Sequence, residues 1–329
     1  MSQKIQTLSG YFHEYQKSIH QPEQFWSRIA NSFHWKKPWD KVLSWDFKGP
    51  DIKWFENAKL NLTENIFERH LFTHSEKTAI IWEPNDPNEA ERKISYRELF
   101  ELTCQFSNAL EAEGVQKGDR VIIYMPMITE AVVAMQACAR IGAIHSVVFG
   151  GFSSEALKDR IEDTGAKIVI TADGGHRSGK IIELKKTTDQ ALSKGCDSIE
   201  TVIVFKRCDN GISMQNDRDI WWHDAESGQS ADCPPTPMNA ADPLFLLYTS
   251  GSTGKPKGIQ HSTAGYLLNA ITSMRWVFDI QASDVFWCTA DVGWITGHTY
   301  LVYGPLANGA ISLMCEGLPN YPDISRVAQ

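Results

Sequence analysis

The stretch RVIIYMPMITEAVVAMQACARIGAIHSVVFGGFSSEALKDRIEDTGAKIVITA, residues 120–172, decides the fold class. Arg120 to Tyr124 is an apolar run that predicts a strand, Thr129 to Ile141 a helix closed by Gly142, and Ile144 to Phe149 a second strand. Ser153 or Ser154 then caps a helix ending near Gly165, and Lys167 to Ala172 reads as a third strand. This is β-α-β-α-β. Strands without polar alternation imply a parallel sheet covered by helices on both faces and linked by right-handed crossovers. The class is α/β, layered α-β-α with largely parallel sheets. Ligands in such sheets sit at the carboxyl ends of the strands.

The same rhythm extends outward from that stretch. Thr78 to Trp82 reads as a strand, and Ser95-Tyr96-Arg97-Glu98 matches a capping box that opens an amphipathic helix running to Gly114. Thr201 to Phe205 gives a further strand, and residues 207–242, rich in Asp, Asn, Ser and Pro, read as a surface excursion. Residues 1–62 differ in kind. They are dense in aromatics, with Pro22, Pro38 and Pro50 breaking short helical stretches, and are expected to wrap as an extension on a main domain of residues 63–329, a partner-binding surface being the alternative.

Pro243 to Tyr248 predicts a short buried strand leading into Thr249-Ser250-Gly251-Ser252-Thr253-Gly254-Lys255-Pro256-Lys257-Gly258. Glycines let a phosphate approach the backbone, Ser and Thr hydroxyls donate, and lysine adds charge, so the loop suits a polyphosphate. A Walker loop is excluded by spacing: it needs four residues between its glycines, whereas Gly251 and Gly254 flank two, and Pro256 follows Lys255.

The composition sets other bounds. A formal net charge of −8 over 329 residues, without a Lys/Arg block, argues against a nucleic-acid footprint. The seven cysteines show no metal-ligand spacing and read as reduced and structural. The most apolar stretch, Ala131 to Phe149, is broken by Arg140 and His145, and the N-terminus lacks an apolar signal core, so a cytoplasmic protein with no membrane partner is expected.

The loop resembles the signature of adenylate-forming enzymes. Four more segments, Ala137 to Ser153, Asp173 to Lys180, Trp287 to His298 and Glu316 to Pro322, resemble the acetyl-CoA synthetases within that superfamily, and the likeness covers nearly the whole chain. The resemblance implies the N-terminal domain of the acyl-CoA synthetase fold and an AMP-forming acetate:CoA ligase with acetate, ATP, Mg2+ and CoA as its small-molecule partners. It implies phosphate contacts from Thr249, Ser250, Gly251, Ser252, Thr253, Gly254 and Lys257, with Thr249 and Lys257 catalytic. Arg177-Ser178-Gly179-Lys180 matches the family's CoA segment, in which Lys180 keeps the usual charge but gives up an arginine's bidentate fork. By itself this tetrapeptide reads more readily as a charge cluster opening a helix, and only the wider match favours the CoA segment. Phe149 and Gly150 resemble residues beside the CoA adenine, and Asn320 and Thr296 match CoA-contacting positions. Trp294, Ile295 and Thr296 align with the acyl pocket. Ile295 stands where the family commonly carries valine; the extra methylene favours acetate by about 1–3 kcal/mol at most, and propionate is the nearest competitor.

In that family the adenine, ribose and metal contacts, the hinge and the catalytic lysine of a small C-terminal domain lie past the position matching Gln329. No metal ligand is therefore expected within this chain, and alone it is expected to be inactive or nearly so. A CoA- or nucleotide-binding module without catalysis is the alternative. A kinase-like phosphotransferase, a third reading, would release ADP rather than AMP.

Overall fold

The structure, a computed structural model, describes residues 5–249, 256–318 and 320–328. Its main sheet has seven strands in the spatial order Asp219–Trp221, Thr201–Phe205, Ile168–Ala172, Arg120–Tyr124, Ile144–Val147, Pro243–Thr249, Lys257–Ser262. Neighbours run parallel up to Pro243–Thr249, and the last strand turns back antiparallel to form the edge. A second sheet joins Val285–Trp287, Ile311–Cys315, Thr78–Glu83 and Arg92–Ser95, the last pair antiparallel.

Period-two alternation assigns each strand residue to a face. Val121, Ile123, Ile168 and Ile170 enter a core shared with helices Tyr96–Ala112 and Thr129–Ile141 and with Ile80 and Met314 of the second sheet. Ile122, Tyr124 and Val169 enter another, closed by helices Ser154–Thr164 and Leu184–Leu192. The α-β-α layering read from residues 120–172 is thus observed, with the second sheet behind one helical layer. Thr129–Ile141 is buried on every side, as a helix between two sheets must be. Its one deep charge, Arg140, donates to Glu68 Oε1 at 2.7 Å and to the Cys233 carbonyl at 2.6 Å.

Helix ends follow the expected chemistry. Ser153 accepts from the Ala156 N–H, and Gly142 and Gly165 close their helices in the left-handed region. The capping box is only half formed: Ser95 accepts from the Glu98 N–H, but the Glu98 carboxylate turns to Arg92. The predicted strand Ile144 to Phe149 ends at Val147, because the chain must turn at Phe149, whose carbonyl accepts from the Phe152 N–H.

Two segments depart from expectation. Residues 41–56 form a hairpin of Lys41–Asp46 and Asp51–Glu56, where short helical stretches were expected. Val42 and Phe55 from this hairpin share the core with Val121, while Trp45 and Phe47 stay exposed. Within 207–242, Asp219–Trp221 adds an edge strand and Trp222 is buried, its ring stacked 3.5 Å from that of Phe106. The next turn carries Glu226, whose buried Oε1 has no hydrogen-bond partner. Burial, with the charge of Glu130 nearby, pushes its carboxyl up to about 7. A folded pKa above the unfolded one means the contribution to stability is full below the unfolded value and is lost as pH rises through about 7. Glu226→Gln should therefore raise the melting temperature at pH 8 and lose that advantage as pH falls toward 5, measured by calorimetry across the range.

The carboxyl edge of the main sheet is fastened to the second sheet. Arg207, just past one strand, meets Glu316, just past another, with Nε to Oε1 at 2.9 Å and Nη2 to Oε2 at 2.7 Å. The buried Asp173 carboxylate accepts N–H bonds from Arg207, Cys208 and Asp209, which fixes the loop that presents that arginine. The cleft between the sheets thereby has a set width.

Candidate active site

Parallel strands place their following loops on one edge, so the predicted residues from distant parts of the chain converge. Phe149 and Gly150 follow Ile144–Val147, Arg177 lies just beyond Ile168–Ala172, and Thr249 ends Pro243–Thr249. Thr249 and Lys257 are direct cross-strand partners at the neck of the glycine-rich loop, and both are exposed. Gly258 pairs with Tyr248 one step further in, and its missing side chain gives room to the Tyr248 ring, 3.3 Å from where a Cβ would stand. Ser250, Gly251, Ser252, Thr253 and Gly254 lie outside the described residues.

Arg177-Ser178-Gly179-Lys180 is a tight hairpin rather than a helix start. Arg177 pairs with Lys180, while Ser178 and Gly179 at the tip have φ of 50° and 73°, as a two-residue turn of this hand requires. The Ser178 N–H donates to Asn85 Oδ1 at 3.2 Å, and Gly179 packs against Tyr321, neighbour of the exposed Asn320. A Cβ at Gly179 would stand 2.7 Å from the Tyr321 hydroxyl. Gly179→Ala should cost about 1–2 kcal/mol in denaturant unfolding, because left-handed backbone and close contact both resist it.

The Arg177 guanidinium lies over the Phe149 ring, 5.2 Å from its centroid, and the Trp294 ring centroid is 6.1 Å from that of Phe149. Together they line a cavity of about 260 Å³ with Met127, Asp291 and Cys315. A smaller pocket of about 30 Å³ adjoins it and adds Gly150, His176 and Met125. Trp294, Ile295 and Thr296 are all exposed, in a turn and the short helix Ile295–Gly297; of the three, Trp294 lines the cavity, and Ile295 and Thr296 do not. The Trp294 N–H donates to the Asp291 carbonyl at 3.0 Å, and Cys288 Sγ donates to the Thr296 carbonyl at 3.9 Å. His298 is buried, and burial drives its pKa down to about 3, so it is neutral and no acid catalyst.

Asp291 escaped the sequence reading. Its carboxylate accepts from the Gly293 N–H at 2.7 Å and faces the cavity beside Arg177. Burial raises its pKa, opposed by the Gly293 N–H and by the charge of Arg177. The available signal was an Asp two residues before Gly293, a spacing that favours a side-chain-to-backbone turn. Cys288 and Cys315 also reach the cavity, and burial raises both thiols, which keeps them protonated and poorly nucleophilic.

The family model for AMP-binding enzymes matches residues 67–329. The chain belongs to the AMP-binding enzyme family. Ahead of that match, the model for the acetyl-coenzyme A synthetase N-terminus covers residues 11–66. Acetyl-coenzyme A synthetase of Halorhodospira halophila is 55% identical over 320 residues, 97% of this chain and 49% of that protein. The enzyme of the same name from Aeromonas salmonicida is 53% identical over 323 residues, 98% of this chain and 50% of that one. The chain spans about half the length of the curated relatives it matches. The acetoacetyl-CoA synthetase of Streptomyces lividans shares the fold, with a TM-score of 0.87 at 24% identity over 95% of this chain and 48% of that structure. Among this chain's described residues no helix is long and apolar enough to cross a membrane.

Proposed function

We propose that the whole protein is an AMP-forming acetate:CoA ligase and that this chain supplies its phosphate loop, CoA hairpin and acyl-pocket turn. The observation that carries the reading is the placement, at the same carboxyl edge of the main sheet, of a Thr249/Lys257 neck and of the loops whose Phe149 and Arg177 line the cavity with Trp294. In the first half-reaction an acetate oxygen attacks the α-phosphate of ATP and pyrophosphate leaves. Two anions approach each other there, so Lys257, Thr249 and the loop between them neutralise charge and hold the line of displacement. In the second, the CoA thiol attacks the acyl carbon and AMP leaves. Arg177, with Ser178, Gly179 and Lys180, holds the nucleotide phosphates of CoA; Phe149 and Gly150 lie by its adenine, and Thr296 and Asn320 along its arm. Trp294 and Ile295 bound the acetate methyl.

Mg2+, used by this class of reaction, would supply positive charge that offsets the negative charge of the phosphates. Among the described residues no group of three His, Cys, Asp or Glu side chains converges to hold it. Residues 1–62 are proposed as an extension docked on the large domain. Seven free cysteines fit a reducing, cytoplasmic setting.

Acetate-dependent exchange of pyrophosphate into ATP by the whole protein tests the proposal. AMP and acetyl-CoA as products support it, while ADP, or no exchange from correctly folded protein, refutes it. Running propionate beside acetate tests the Ile295 argument, which expects acetate to be preferred.

A further inference from the structure

Arg160 is an arginine that neither the loop nor the CoA hairpin accounts for. It sits on helix Ser154–Thr164 and is only 7% exposed. A guanidinium so buried normally has a carboxylate partner. Among the described residues this one forms no ion pair; its Nη1 donates to the Ala156 carbonyl at 2.6 Å, and burial lowers its pKa. Its partners are instead two ring faces. The guanidinium carbon lies 4.8 Å from the Phe152 centroid and 5.1 Å from that of Tyr248.

Those two rings belong to different halves of the site. Tyr248 immediately precedes Thr249, and its hydroxyl donates to Asp163, so it is held to the helix that carries Arg160. Phe152 meets Trp294 edge to face at 6.1 Å and Phe149 at 5.6 Å, and Phe149 carries Arg177 on its face. Tyr248, Arg160, Phe152, Trp294 with Phe149, and Arg177 form one continuous chain of contacts from the phosphate loop to the CoA hairpin.

We propose that Arg160 is a positioning residue that fixes the distance between the phosphate-binding end and the acyl and thiol end, through its planar group held between the Phe152 and Tyr248 rings. The proposal rests on the ligase reading for its catalytic meaning and on geometry alone for the coupling. Both half-reactions use the same acyl carbon, so the phosphate and thiol must be delivered to it along lines whose separation does not drift. A flat guanidinium between two rings resists sliding in a way that neither an ammonium nor an aliphatic chain can.

Two conservative variants and two readouts test this. Arg160→Lys keeps the charge and loses the plane; Arg160→Met keeps apolar bulk and loses both. In the whole protein both should lower kcat for acetate-dependent pyrophosphate exchange by about ten-fold while the KM for ATP moves less than about two-fold, the signature of lost alignment rather than lost binding. In the 329-residue chain itself, amide hydrogen exchange should quicken together at Leu247 to Thr249 and at Gly293 to His298. Recovery of wild-type kcat by lysine would reduce the role to charge, and recovery by methionine would reduce it to bulk. Faster exchange on one flank only would disprove the coupling. If wild-type whole protein showed no pyrophosphate exchange, the ligase reading would fall, and the hydrogen-exchange result would still decide whether Arg160 joins the two flanks.

Discussion

Replacing Lys257 by alanine in the whole protein is expected to cut kcat for acetate-dependent pyrophosphate exchange by about 100-fold or more, the loss typical when one donor to developing charge is removed. Acetyl transfer to CoA from preformed acetyl-adenylate should fall by less than about three-fold, since the phosphates facing the loop have then left as pyrophosphate. The asymmetry follows from placement. Lys257 stands opposite Thr249 at the open end of the antiparallel pair, exposed and on the edge strand, so its loss leaves no cavity and, among the described residues, unpairs no buried group. Thermal unfolding should accordingly stay within the small range of surface substitutions, about ±0.5 kcal/mol. Measuring the two half-reactions separately decides the matter. Equal losses in both would move Lys257 from the phosphate end to a role shared by both steps, and a folding defect of the same size would make it structural.

The elements that place Lys257 were readable because each rests on local chemistry. Apolar runs at Arg120–Tyr124 and Pro243–Thr249, and glycines at positions 142 and 165 forced into left-handed backbone, announce strands and helix ends within a few residues. The hairpin at Arg177–Lys180 was harder to read. Ser178 at positive φ has little sequence signature, and the turn is held by Asn85 and Tyr321, which come from far along the chain. The hairpin of residues 41–56 was obscured by Trp45 and Phe47, apolar residues that it leaves exposed. Long-range polar bonds were not legible at all. Nothing near Arg207 in sequence marks Glu316 as its partner, and nothing near Arg160 points to Tyr248. The sequence therefore showed which edge gathers the candidate residues and which residue types stand there. The cross-chain contacts that fix their spacing needed the fold.

Arg177→Ala is expected to raise the KM for CoA by about ten- to a hundred-fold, the range for losing a charged hydrogen-bond donor to phosphate, and to leave pyrophosphate exchange within about two-fold. Arg177 lies at the hairpin end of the contact chain, over Phe149, and no described hydrogen bond ties it to the loop neck. A second, independent sign comes from Asp291. Burial raises that carboxyl, and the charge of Arg177 is one of the two influences holding it down. Without the arginine its pKa must climb further, so the carboxylate would be protonated at a higher pH than in the wild-type protein. If the ionised form of Asp291 helps order the CoA side of the cavity, the acid limb of the CoA-dependent rate moves to higher pH in Arg177→Ala. That shift should vanish in Arg177→Ala combined with Asp291→Asn, which has no carboxyl left to titrate. A raised KM without any movement of the acid limb would confine Arg177 to direct contact with CoA. Loss of exchange in parallel with the rise in KM would instead show that the arginine acts on adenylation, and would remove it from the CoA site.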